Sequence, residues 1–181
     1  MTVRDSKEYA VIRKFYGDRK AARSQVPLVN HIDEGIFILE KIGASEEAMK
    51  AFCLHPLFQA DADLAQNQTL TRELDPYIVM LALEYRNTAN AYLSQRKIEK
   101  LEDIRLSPLP EVNQMLMADK IQNCKDFMIH HHGIHPKSDE LHQYFKNWFQ
   151  RLGIPQKVFT ALEKQAPGHT RHLKNPSPEK P

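Results

Sequence analysis

Three stretches of this chain set metal-ligating side chains beside apolar helical patterns. Pro27-Leu28-Val29-Asn30-His31 holds one histidine. Ala51-Phe52-Cys53-Leu54-His55-Pro56 holds a second. The stretch from Leu116 to Phe127 supplies a carboxylate, Asp119. Two histidines and an aspartate carried by three separate helices can converge in a bundle. Two imidazole nitrogens and a carboxylate suit a divalent transition ion with open positions for water and substrate. Such an ion lowers the pKa of bound water and clamps a phosphate oxygen. Spacing alone leaves the ordinary alternative open, in which each histidine is a hydrogen-bonded core residue.

Other chemistries find less support. His130-His131-His132 with His135 reads as a solvated loop, because consecutive side chains point in different directions. No glycine-framed serine suggests a nucleophile elbow, and no glycine-rich phosphate loop is present. Cys53 and Cys124 fall at apolar helical positions and read as inert, reduced thiols. The net charge is +2, from 25 Lys+Arg against 23 Asp+Glu, which excludes a strongly basic nucleic-acid binder. The basic residues Arg171, Lys174 and Lys180 are too sparse to change that.

The elements that would position these residues are helical almost throughout. Leu28, Ile32, Ile36, Leu39 and Ile42 form one stripe, stopped by Gly43. Ser45 caps the next helix, which Pro56 should end at His55. Residues 57 to 74 read as a loop with room for a short helix, opened by Asp61 and Asp63. Asp75-Pro76 starts a long buried helix to about Tyr92, and Pro110 starts another through Met128. Ser138 caps a helix through Leu152, stopped by Gly153, and Pro155 opens a last helix to about Gln165. The expectation is an all-α fold, a single domain of six or seven helices over residues 1–166. Residues 167–181, which hold four of the 11 prolines, read as a disordered tail. The chain opens without an apolar leader, and no run of ~18 apolar residues suggests a membrane span. A cytoplasmic protein is expected, with no membrane or nucleic-acid partner and with room for homo-oligomers.

The order and wording of the three stretches resemble the HD-domain phosphohydrolase superfamily. They are most similar to the hydrolase domain of RelA/SpoT-type (p)ppGpp enzymes and their small stand-alone relatives. The matches are Arg19-Lys20 ahead of Pro27 to His31, then Phe52 to His55, then Met117 to Asp126, then Tyr144-Phe145 with Trp148. They cover about residues 10 to 152. The resemblance implies an HD-like fold with His31, His55 and Asp119 as ligands of a divalent metal, Mn²⁺ or similar. It implies a small phosphorylated nucleotide as partner, with Asn123 and Tyr144 at its sugar or phosphate and Arg19 and Lys20 near its base.

The departures bear on activity. The family's His-Asp pair is His55-Pro56 here, and its downstream Glu-Asp aligns with Gln59-Ala60. Glutamine can orient a water but is no base, and alanine does neither. Two readings follow. One is a metal-dependent phosphohydrolase of a nucleotide or related small phosphate ester, with weakened or altered chemistry. The other is a catalytically inactive HD-like nucleotide-binding or regulatory protein.

Overall fold

The computed structural model describes residues 2–22, 24–95 and 98–166. Its regular elements are eight α-helices: α1 (Lys7–Tyr16), α2 (Val29–Lys41), α3 (Glu46–Phe58), α4 (Asp61–Asn67), α5 (Pro76–Gln95), α6 (Pro110–His130), α7 (Ser138–Arg151) and α8 (Gln156–Glu163). Single 3₁₀ turns lie at Val3–Asp5, Gln68–Arg72 and Leu101–Asp103. The one β feature among the described residues is an isolated bridge between Lys20 and Pro27. No helix among them is long and apolar enough to cross a membrane. The tail expected at 167–181 lies outside the described residues, as do Arg96 and Lys97 of the charged connection after α5.

The helices begin and end where short-range chemistry directs. Ser45 Oγ accepts from Ala48 N at 3.1 Å, and Asp75 Oδ1 accepts from Tyr77 N at 2.8 Å. Each bond satisfies an amide that the first turn leaves without a helical partner. Gly43 and Gly153 take φ +68, the left-handed conformation that stops α2 and α7. Helix α4 forms where the sequence leaves room for a short helix, and α1 takes the count past seven. Helix α1 has a short apolar stripe, Tyr9 and Ile12, fixed at its start by Ser6 Oγ accepting from Tyr9 N. Helix α4 carries Asp61 and Asp63 in its first turn, as their types suggest.

Two local expectations fail. Helix α3 does not end at His55; it continues through Pro56 to Phe58. An interior proline costs ~3 kcal/mol. Leu57 and Phe58 beyond it are fully buried, and burying each contributes about 1.5–3 kcal/mol, enough to offset that cost. Nor does Ser138 cap α7. It is the helix's first residue, and its Oγ accepts from Gly133 N at 2.8 Å, tying down the preceding loop.

The chain divides after Asp119 into two compact units. In the first, α3 is the central helix and packs on α1, α2, α4 and α5. Tyr9 Oη donates to Asp33 Oδ1 at 2.7 Å, linking α1 to α2. A methyl group on Gly35 of α2 would stand 2.1 Å from Phe52 Cε1, so only glycine admits the Phe52 ring there. Glu84 on α5 gathers the segment before α6: its Oε1 accepts from Thr88, Arg105 and Ser107, each at 3.1 Å. Burial pushes the Glu84 carboxyl up, but hydrogen bonds from Asn87, Ser107 and Thr88 and the Arg105 charge hold it below its ordinary value.

In the second unit, α7 turns Phe145, Trp148 and Phe149 inward. Phe127 meets Phe145 with ring centroids 5.5 Å apart, and Phe149 meets Phe159 of α8 at 5.1 Å. His142 Nε2 and Glu163 Oε1 are 2.9 Å apart, joining α7 to α8. Cys53 and Cys124 are buried, and neither forms a disulfide. Burial pushes both thiols up, Cys124 to about 12, which leaves them unreactive at neutral pH.

Candidate metal centre

His31 lies in the first turn of α2, His55 in the last turn of α3, and Asp119 near the middle of α6. Their donor atoms meet. His31 Nε2 is 3.2 Å from His55 Nε2 and 3.5 Å from Asp119 Oδ1, and His55 Nε2 is 3.9 Å from Asp119 Oδ1. A point equidistant from three atoms so spaced lies about 2.1 Å from each, within the 2.0–2.2 Å of zinc-type bonds to imidazole nitrogen and carboxylate oxygen. Among the described residues this is the one group of three or more His, Cys, Asp or Glu whose ligand atoms gather in this way.

Burial shapes the group. His55 and Asp119 are 4% and 3% exposed, while the His31 side chain keeps 20%, so the cluster meets solvent along the His31 edge. The Phe52 ring supports both imidazoles, with centroids 5.6 Å from His31 and 4.6 Å from His55. Tyr85 flanks His55 at 4.8 Å. His55 Nδ1 is 2.6 Å from the Phe52 carbonyl oxygen. A carbonyl only accepts, so Nδ1 carries the proton, and in the neutral imidazole the Nε2 lone pair points into the group. Lone pairs of nitrogen and carboxylate oxygen packed this closely repel unless a cation or a shared proton lies between them. The residues present fit a divalent transition ion. A proton on His31 Nε2, bridging to a neighbour, is the competing occupant.

The remaining expected site residues divide. Arg19 and Lys20 are exposed beside the Lys20–Pro27 bridge, and Leu28 N donates to Arg19 O at 2.9 Å. The Arg19 guanidinium lies 4.7 Å over the Phe15 ring and donates to the Phe15 and Tyr16 carbonyls, so it is committed to the end of α1. Asn123 and Tyr144 belong to the second unit. There the Lys120 ammonium lies 5.7 Å from the Tyr144 ring and 5.4 Å from that of Trp148. The histidines at 130–135 do not gather: neighbouring rings stand 6.2 Å apart for His130 and His131, and 6.5 Å for His131 and His135.

Around the departures from the family pattern, Gln59 follows α3 and donates from Nε2 to Asn90 Oδ1 at 2.5 Å, and Asn90 Nδ2 donates to Gln59 O at 3.2 Å. Gln59 Oε1 is buried without a hydrogen-bond partner. Asp61, in the first turn of α4, pairs with Arg86 of α5.

At the end of α1, burial pushes the Tyr16 phenol up to about 12; the Arg19 charge opposes that shift, and the charges of Asp119 and Asp63 add to it. Tyr85 reads from the sequence as helix packing, and it does pack, with His55 as its neighbour.

Comparison of the chain with protein-family models, with curated proteins and with solved structures finds no match.

Proposed function

We propose that this chain is an HD-like metal-dependent phosphohydrolase acting on a nucleotide or a related small phosphate ester, with weakened chemistry. The observation that carries the reading is the convergence of His31 Nε2, His55 Nε2 and Asp119 Oδ1 at spacings of 3.2–3.9 Å. When bound, a divalent ion such as Mn²⁺ supplies Lewis-acid polarisation of a phosphate oxygen and a lowered water pKa. Two neutral imidazoles and one carboxylate leave such an ion a net charge of about +1, which favours an anionic phosphate as the remaining ligand. Buried His55 and Asp119 keep one side of the group dry. The part-exposed His31 edge is the side open to substrate.

One observation favours the second reading, a nucleotide-binding protein without turnover. The Gln59 amide is tied to Asn90 on α5, a structural commitment at the position where the resembling family keeps an acid. The two readings separate in one series on the purified chain. Bound metal is quantified by elemental analysis. Release of inorganic phosphate from a nucleotide panel is then followed with Mn²⁺, with chelator, and in Asp119→Ala. Mn²⁺-dependent turnover lost in Asp119→Ala supports the hydrolase. Metal binding and a nucleotide-dependent rise in Tm without turnover support the second reading. A chain that takes up neither metal nor nucleotide sinks both.

A further inference from the structure

Helix α3 continues through Pro56, so in a regular ladder the amide of residue 56 would donate to the Phe52 carbonyl four residues back. Proline has no N–H, and that carbonyl loses its helical donor. Phe52 is fully buried, and buried carbonyls take partners. The partner is His55 Nδ1, at 2.6 Å. With the proton on Nδ1, a neutral imidazole keeps its lone pair on Nε2. Nε2 is the atom 3.2 Å from His31 Nε2 and 3.9 Å from Asp119 Oδ1.

We infer that Pro56 is a positioning residue. By withholding a backbone donor it hands the Phe52 carbonyl to His55 and sets the tautomer in which His55 ligates a cation. The inference rests on the metal reading above and deepens it, because it names what keeps the ligand ready. The Phe52 and Tyr85 rings hold the plane of the imidazole, but ring contacts choose no tautomer; the carbonyl does. Metal-ligating histidines generally donate their second N–H to a carboxylate, a backbone carbonyl or water. A helical carbonyl is normally taken by the ladder, and Pro56 releases this one. Where the resembling family places a ligand carboxylate, this chain has a residue that acts on the far side of the neighbouring histidine.

The test is Pro56→Ala in the full chain. Alanine restores the N–H, and the ladder reclaims the Phe52 carbonyl. The metal-free protein is labelled with nitrogen-15 histidine and examined by NMR at a pH where imidazole is neutral. His55 in the wild type is expected as the Nδ1–H tautomer, and the Nε2–H form is expected to grow in Pro56→Ala. By titration calorimetry the affinity for Mn²⁺ should fall about 10–100-fold. Tm should hold or rise, since alanine replaces an interior proline. Affinity falling while stability does not fall is a pattern that a merely structural proline would not give. A folded Pro56→Ala that keeps both tautomer and affinity overturns the inference. So does an Nε2–H tautomer at His55 in the wild type, a measurement that needs no variant to fold. A wild type that binds no Mn²⁺, yet shifts its tautomer on Pro56→Ala, keeps the positioning role and removes the metal reading. A wild type that binds Mn²⁺ with tautomer and affinity indifferent to residue 56 does the reverse.

Discussion

His31 and His55 are 24 residues apart and bring their Nε2 atoms to 3.2 Å, whereas His130, His131 and His132 are consecutive and spread. In the second region His132 lies against Phe127 at 5.5 Å and His142 at 5.4 Å, and His135 Nδ1 accepts from Lys137 N at 3.1 Å. Each of those rings serves a local contact. In the first region, helices α2, α3 and α6 each deliver one side chain to a common point, with an aromatic floor and a fixed tautomer. Histidine density along a chain is thus a poor guide to ligation. Side chains on one turn fan out by about 100° per residue, while side chains on separate helices are aimed by packing.

The sharpest way to break this contrast is to remove a histidine from each region. His55→Ala should lower Mn²⁺ affinity by more than about 100-fold, since a lost ligand exceeds the 10–100-fold cost of losing a hydrogen-bond partner behind a ligand. His131→Ala and His132→Ala should leave it unchanged. Calorimetric titration of the three variants checks this, and equal losses in all three would erase the distinction.

Glycines give the next comparison. Gly35→Ala drives a methyl group to 2.1 Å from Phe52 Cε1, so it should cost about 1–3 kcal/mol and loosen the floor beneath both imidazoles. Gly133, in the histidine loop, has φ +74, and a methyl group added there would meet nothing within 4 Å. Gly133→Ala should therefore cost only the left-handed backbone penalty, about 1 kcal/mol, with metal affinity intact. Urea unfolding with parallel metal titration reads both.

Carboxylate anchors give the smallest effects. Glu84 is held below its ordinary pKa, so its contribution is present above about 4.5 and lost as pH falls through the lower folded value. Glu84→Gln should cost about 1 kcal/mol at neutral pH, fading in acid. Glu163, part-exposed beside His142, should matter less: Glu163→Gln should cost under about 1 kcal/mol and be masked by salt. Unfolding curves across pH and ionic strength would show whether the two anchors differ in this order.

Much of the helical framework is legible in the sequence because caps act within three or four residues. Ser45, Asp75, Gly43 and Gly153 do what their types and neighbours imply. The same short-range logic fails at Pro56, where local preference ends the helix and the burial of Leu57 and Phe58 extends it. It fails at Ser138, whose hydroxyl has a competing donor five residues back in Gly133 N. Within the site, His31, His55 and Asp119 are nameable from residue type and order. The Phe52 carbonyl is not, because a backbone oxygen carries no signal in residue type.

By itself, the sequence determined the all-α class, most helix boundaries and the three side chains able to ligate a cation, because periodicity, capping and donor chemistry are properties of short segments. Only the tertiary structure decided that three donor atoms separated by up to 88 positions (His31 to Asp119) share one point. It also decided that Pro56 stays within α3 and that the Phe52 carbonyl turns to His55. Those outcomes depend on how α3 is buried against its neighbours, and burial is a property of the packed chain.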